Sequence, residues 1–420
     1  MITLIITNKI TFLIYYFIIK LINPISTKKS VYKNRNLESI RSINIKVDNG
    51  TKLKIINSNY IPDRIYINGK ISTVDNSGYT NIEKGVGNIV TLEWDSKEEK
   101  YSKLFQNILT IYEINFTNFD TSGVSSIKSM FVGCENLRII NFNDFDTSSI
   151  SDMESLFEGC ISLKSLDLSN FETSNLRYVN SMFKDCRSLT SLNLSNFYTP
   201  NLQRMQEMFS GCSSLKYLEI PYLDTSDITN MDSVFNGCTS LISLDISHFI
   251  TKKVTNFNSL FNECSSLVYI DVSNFDTSLV TDMGYMFNKC YNLTSLNLSS
   301  FRTSMVENMD HMFCGCKKLT SINISNFDIS EVINMNFMFF ECESLLSMDF
   351  SNFPISQKNM EQIFGSCSSI QSIKFSKEYK LVGKIDHMFS GCSSLTTLDL
   401  SNFDFALNNN LESLFKGCSL

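Results

Sequence analysis

Three histidines, His248, His311 and His387, and one tryptophan, Trp94, are all that 420 residues contain of these types. Cysteine occurs 13 times, yet never as C-x-x-C; the nearest approach is Cys314 with Cys316. Zinc ligation needs ligands that converge in pairs, so no metal is expected. A nucleophilic cysteine needs a base beside it, and no histidine recurs in register with the cysteines. "NGK" and "DNSG" are turn chemistry and not phosphate loops. No catalytic residue and no cofactor are therefore expected, and the chain reads as a non-enzyme. Positive charge is also scarce where a nucleic-acid backbone would require it. Residues 101–420 hold 21 Lys and Arg against 34 Asp and Glu, a balance of −13, whereas residues 1–100 hold 15 against 9, a balance of +6. An acidic array of this length argues against nucleic acid as a partner.

Long apolar runs are missing except at residues 10–19, which lie between Lys9 and Lys20. That run is short for a membrane span and suits the core of a signal peptide, although no A-x-A-like site follows it. Residues 1–26 are expected to be a signal peptide or signal-anchor, with an ordinary N-terminal segment as the alternative. Membrane attachment is expected only through this segment or through a missing C-terminal region.

What the chain has in abundance is repetition. "FDTSLVTDMGYMFNKCYNLTSLNLSSF" at 275–301 has the same skeleton as "FDTSGVSSIKSMFVGCENLRIINFNDF" at 119–145. Phenylalanine recurs every 26 residues, as in Phe209, Phe235 and Phe261, with two steps of 25 after Phe339. A cysteine follows three residues after each, from Cys134 onward; only the first unit departs, with Ile108. One such unit cannot bury enough apolar surface to offset its conformational entropy, so the units must stack.

Each unit contains two periods. Leu293, Leu296 and Leu298 end in the alternation of a half-buried strand, whereas Val280, Met283, Met286 and Cys290 return at helical steps. Between them "SNFDTS" reads as a corner whose side chains cap a helix start. The expected fold is an α/β solenoid, a leucine-rich-repeat-like stack of about thirteen coils of 25–26 residues, each one short parallel strand and one short helix. The corner phenylalanines, Phe145, Phe171, Phe197 and their successors, are expected to form an aromatic spine, interrupted by Leu223.

"NFDTS", "VTDM", variants of "MFNGC" such as "MFNKC", and "SLTSLNLSNF" together resemble the BspA-like leucine-rich repeat surface proteins, also known as a mycoplasma-type surface lipoprotein repeat. The resemblance covers roughly residues 100–420 and keeps the same order of residue types through a dozen copies. It implies a secreted or cell-surface protein that binds a protein or other extracellular macromolecule in adhesion or host and matrix recognition. No active site is carried over with it. The alternative is an intracellular protein-protein interaction scaffold, to which reduced thiols are suited.

Residues 31–100 are expected to form a β-rich N-terminal cap, with Trp94 at its junction with the array. The sequence stops at "LFKGCSL", before a further strand, so either the product continues or its last coil frays. The repeated cysteines are expected to be buried thiols, because Ile108 stands at the equivalent place and identical coils offer no pairing rule. Disulfides remain the alternative, and Cys314, off the repeat position, is expected to be exposed.

Recognition is expected where the repeat varies. The outward positions of the strand form a serine column, broken by Tyr217 and Tyr269, and an Asp/Asn column that includes Glu219, Asp245 and Asp271. These five residues are the candidate recognition face. Of six N-x-S/T sequons, three arise from the strand motif itself, at Asn193, Asn297 and Asn323, and Asn49 is the candidate glycosylation site.

Overall fold

The computed structural model describes residues 41–419 except 49, 51, 83–86, 97, 117, 355–357, 377–383, 402 and 404–410. The segment 1–26 and Asn49 lie outside the described residues. The array is a β-solenoid of about 11 turns, fewer than the thirteen coils expected, and the expected helix in each coil is not there. Among the described residues the one α-helix is α1, Leu411–Leu414, at the last turn.

The reason lies in the backbone hydrogen bonds of the segment that carries the helical spacing. In residues 283–290 the amides alternate between two kinds of partner. Those of Met283, Tyr285, Phe287 and Lys289 donate to the next coil, at Asn308, Asp310, Met312 and Cys314, over 2.6–2.9 Å. Those of Met286, Asn288 and Cys290 donate three residues back within the coil. The chain is thus a run of tight turns, and a turn returns a side chain to the core every three residues just as a helix does. The turns closed by the Met286 and Cys290 amides place a left-handed residue at their third position. Tyr285 and Lys289 have φ of 58° and 55°, and the same two columns hold positive φ along the array, with Ser259 at 55° in the first and Gly211 at 73° in the second. The recurrent glycine before the cysteine serves this conformation.

Among the described residues, strands are also fewer than one per coil. In the cap, β1 (Arg41–Val47), β2 (Leu53–Lys54), β3 (Arg64–Ile67), β4 (Lys70–Ser72), β5 (Tyr79–Thr80) and β6 (Asn88–Trp94) precede the array. The array holds β7 (Ile111–Asn115), β8 (Ile139–Asn141), β9 (Ser191–Asn193), β10 (Tyr217–Glu219), β11 (Ser347–Phe350), β12 (Ser372–Phe375) and β13 (Thr397–Leu398). Pairing is parallel in β7–β8, β9–β10 and β11–β12–β13. In the cap, β1 pairs antiparallel with β6 on one side and with β7 on the other, so the first array strand completes the cap sheet. Trp94 meets Phe119 edge-on at 5.8 Å, and its indole donates to the Tyr60 carbonyl at 3.3 Å.

Three inward columns hold the stack. The phenylalanines that recur from Phe105 to Phe415 lie ring over ring, with steps such as 5.6 Å for Phe209–Phe235 and 5.5 Å for Phe235–Phe261. The corner spine exists as well, with looser steps of 6.3 Å for Phe145–Phe171 and 6.4 Å for Phe171–Phe197. The repeated cysteines are free, and all but Cys418 are buried. Each thiol donates to the carbonyl of the previous coil's phenylalanine, as Cys238 does to Phe209 at 3.2 Å. Burial pushes the Cys238 thiol up to about 12. Cys314 is buried too, 9% exposed, so the expectation of an exposed thiol fails.

The threonine of "FDTS" is a clip between coils, which corrects its reading as a helix cap. The buried Thr251 hydroxyl donates to the Asp276 carbonyl at 2.9 Å and accepts the Asp276 amide at 2.8 Å. Thr225 does the same at residue 250, and Thr277 at Arg302. One exception explains itself. Buried Ile329 takes the threonine's place, and the residue whose amide it would accept is Pro354, which has none.

Candidate recognition surface

The expected columns are real neighbours where strands pair: Tyr217 stands beside Ser191, and Glu219 beside Asn193. Tyr217 is 59% and Tyr269 53% exposed, so both rings stand in solvent. Between and beside them the coils expose Ile242 and Val268, two aliphatic residues that sequence reasoning missed. Lys216 is exposed next to Tyr217.

The carboxylates divide into two kinds. Asp245 accepts the Ser247 amide at 3.1 Å and its hydroxyl at 2.7 Å. Asp271 accepts the Ser273 amide at 2.9 Å, and the bonds from Ser273 hold its carboxyl below the usual range. Asn193, Asn297 and Asn323 make the same turn with Ser195, Ser299 and Ser325. Asp and Asn alternate along this column because the turn asks only for a side-chain oxygen that accepts an amide two residues on. Hence the strand-motif sequons are turn residues.

Glu219 differs. Two residues on stands Pro221, whose ring nitrogen has no hydrogen to give, so the turn acceptor is not needed. The pattern repeats one corner away. Asp224, Asp276 and Asp328 accept the amides of Ser226, Ser278 and Ser330 at 2.8–3.0 Å. In the coil before, that aspartate is replaced by Tyr198, 60% exposed, and the serine by Pro200. A proline thus accompanies two of the places, Glu219 and Tyr198, where an outward residue is released from a turn.

The corner asparagine completes the account. Asn196, Asn274 and Asn326 donate to the preceding coil at the Phe171, Phe249 and Phe301 carbonyls, over 2.8–3.0 Å. Tyr222 and His248 replace it in two successive coils. Tyr222 is exposed, whereas the half-buried His248 bonds the Ile220 backbone, and burial lowers its pKa. Four tyrosines, 198, 217, 222 and 269, thus stand exposed within four successive coils. Pro200 was the readable signal for one of them, Tyr198.

The cluster around His311 is not a catalytic site. His311 lies stacked at 4.6 Å from both Tyr285 and Phe337, with Asp310 at 2.9 Å from its Nδ1. Cys314 is three residues on, but burial pushes its thiol up to about 12, the wrong direction for a nucleophile. Among the described residues no group of His, Cys, Asp or Glu is placed to hold a metal ion. No described helix is long and apolar enough to cross a membrane.

The fold is shared with a crystal structure of a leucine-rich repeat protein from Bacteroides ovatus. That chain is 20% identical, with a TM-score of 0.50 over 74% of this chain and 71% of that one. A leucine-rich cell surface protein from Faecalibacterium prausnitzii is more distant: 16% identical, TM-score 0.37, covering 70% of this chain and 86% of that one. No curated protein is similar enough to match. The model of one family matches residues 99–218, 190–295, 266–377 and 358–420, which together span the array. The chain therefore belongs to the family described as "Mycoplasma protein of unknown function, DUF285", a repeat family of the BspA-like leucine-rich type that its motifs resemble.

Proposed function

We propose that the chain is a non-enzymatic cell-surface or secreted repeat protein. It binds a partner protein through the outward face centred on Tyr217, Glu219 and Tyr269. The observation that carries this is the exchange of Glu219 and Pro221 for the turn pair that other coils keep, in a coil that also exposes Tyr217 and Tyr222. Interior positions of that coil keep the motif's residue types: Leu215, Leu218 and Ile220 are apolar and buried. Sequence has thus changed outward without a change inward. Amphipathic rings with aliphatic neighbours supply contact area, and Glu219, Asp245 and Asp271 favour a basic partner surface.

The test has two parts. N-terminal sequencing of the cell-associated protein and protease accessibility on intact cells establish where it resides. A reduced, protease-protected chain would instead favour the intracellular scaffold, the reading to which 13 free thiols are suited. Binding of the full chain to immobilised basic extracellular proteins is then measured against a Tyr217→Ser/Tyr269→Ser variant. A drop of at least about tenfold, with binding that weakens as salt rises, is expected. Unchanged affinity in the folded variant places the interface elsewhere.

A further inference from the structure

A second feature lies away from the tyrosine face, on the side of the coils that follows the "DTS" corner. Ser149, Ser151, Asn175, Arg177, Tyr178 and Asn201 line a shallow hollow of about 380 Å³. It arises from a step in size between neighbouring coils: Ser149 and Ser151 occupy positions that the next coil fills with Asn175 and Arg177.

The electrostatics of the hollow run against those of the array. Its lining contains no carboxylate, and Arg177 has no ion-pair partner among the described residues. Arg204 lies over the Tyr178 ring at 5.4 Å and brings a second cation to the edge. The nearest acid by register, Asp152, is occupied: its Oδ1 accepts the Glu154 amide at 3.0 Å and its Oδ2 the Ser126 hydroxyl at 3.3 Å. The neutral lining is oriented as well. Asn175 and Asn201 donate through Nδ2 to the Ser148 and Ser174 carbonyls at 2.7 and 2.8 Å, so their amide orientation is set and Oδ1 remains as an acceptor.

We infer that this hollow binds a saccharide carrying a single anionic substituent, a sulfate or a carboxylate. Guanidinium forks pair with such oxyanions at two points, which suits Arg177 to the charge. The Ser149 and Tyr178 hydroxyls and the two asparagine oxygens match sugar hydroxyls in both hydrogen-bonding senses. A polyanion such as nucleic acid is opposed by the balance of −13 over residues 101–420, whereas a single charge meets little of that repulsion.

The experiment is calorimetric titration of the full chain with a sulfated disaccharide, a uronate-bearing disaccharide, the neutral parent sugar and inorganic sulfate. Either anionic sugar is expected to bind at least tenfold more tightly than the neutral parent or sulfate alone. Arg177→Ala should abolish that preference and Arg177→Lys should retain part of it. Ser149→Phe should block binding while leaving the charge in place. Arg187→Ala, which removes a guanidinium already paired with Asp185 at 3.1 Å, should change nothing. Equal binding of the neutral parent, equal binding of inorganic sulfate, or full affinity in folded Arg177→Ala would each overturn the proposal.

Discussion

Residues 283–290 and 293–298 are consecutive stretches of one coil, yet they are held in different ways. In the first, every second amide reaches the next coil, and the pattern recurs along the array with its left-handed residues in fixed columns. In the second, a strand forms in some coils, such as β9 and β10, and not in the coils at 241–246 or 293–298. Parallel ladders are therefore not what binds one turn to the next; the turn segment is. This leaves the strand side free to vary outward, and that is where the aromatic and aliphatic departures collect.

The largest expected effect belongs to the turn side. Burial raises the Cys238 and Cys290 thiols from 9.0 to about 12. A thiol whose folded pKa lies above its unfolded value holds its proton more firmly when folded, so its stabilisation is complete below about pH 9 and is lost as pH rises toward 12. With eleven buried column thiols acting in the same direction, the array is expected to unfold cooperatively in that window. Circular dichroism against pH checks this, and a fold unchanged at pH 11.5 would contradict it.

Next in size is Phe235→Ala, which removes a fully buried ring stacked on both sides. A loss of about 3–5 kcal/mol is expected in urea denaturation. Thr251→Val leaves the Asp276 amide without its acceptor and should cost about 1–3 kcal/mol. The strand side should respond far less. Glu219→Asp combined with Pro221→Ser rebuilds the turn found in other coils. It is expected to stabilise by about 0.5–1 kcal/mol beyond the sum of the single changes, in a double-mutant cycle. Smallest of all, Tyr217→Ser and Tyr269→Ser should each shift stability by no more than about 0.5 kcal/mol, even though both are expected to weaken binding.

The sequence makes the period, the stacking, the buried cysteines and the outward columns legible, because each rests on identity at a fixed spacing. The helix was misread because Val280, Met283, Met286 and Cys290 satisfy a helical face and a run of turns equally well. The glycine that precedes so many of the cysteines was the discriminating signal, since a left-handed residue inside each segment is incompatible with a continuing helix. Asp245 and Asp271 read as surface charge because an Asx turn depends on an amide two residues on, which composition does not display. Pro200, Pro221 and Pro354 were legible but silent until the donors they lack could be matched to Tyr198, Glu219 and Ile329.

Hydrogen-deuterium exchange on peptides from the middle of the array tests most directly whether the turn segment holds the coils together. Amides in 283–290 should exchange slowly, with Met283, Tyr285, Phe287 and Lys289 among the most protected, and those in 294–298 markedly faster. Slower exchange in 294–298 than in 283–290 would mean that a strand ladder binds the coils, and would contradict the account.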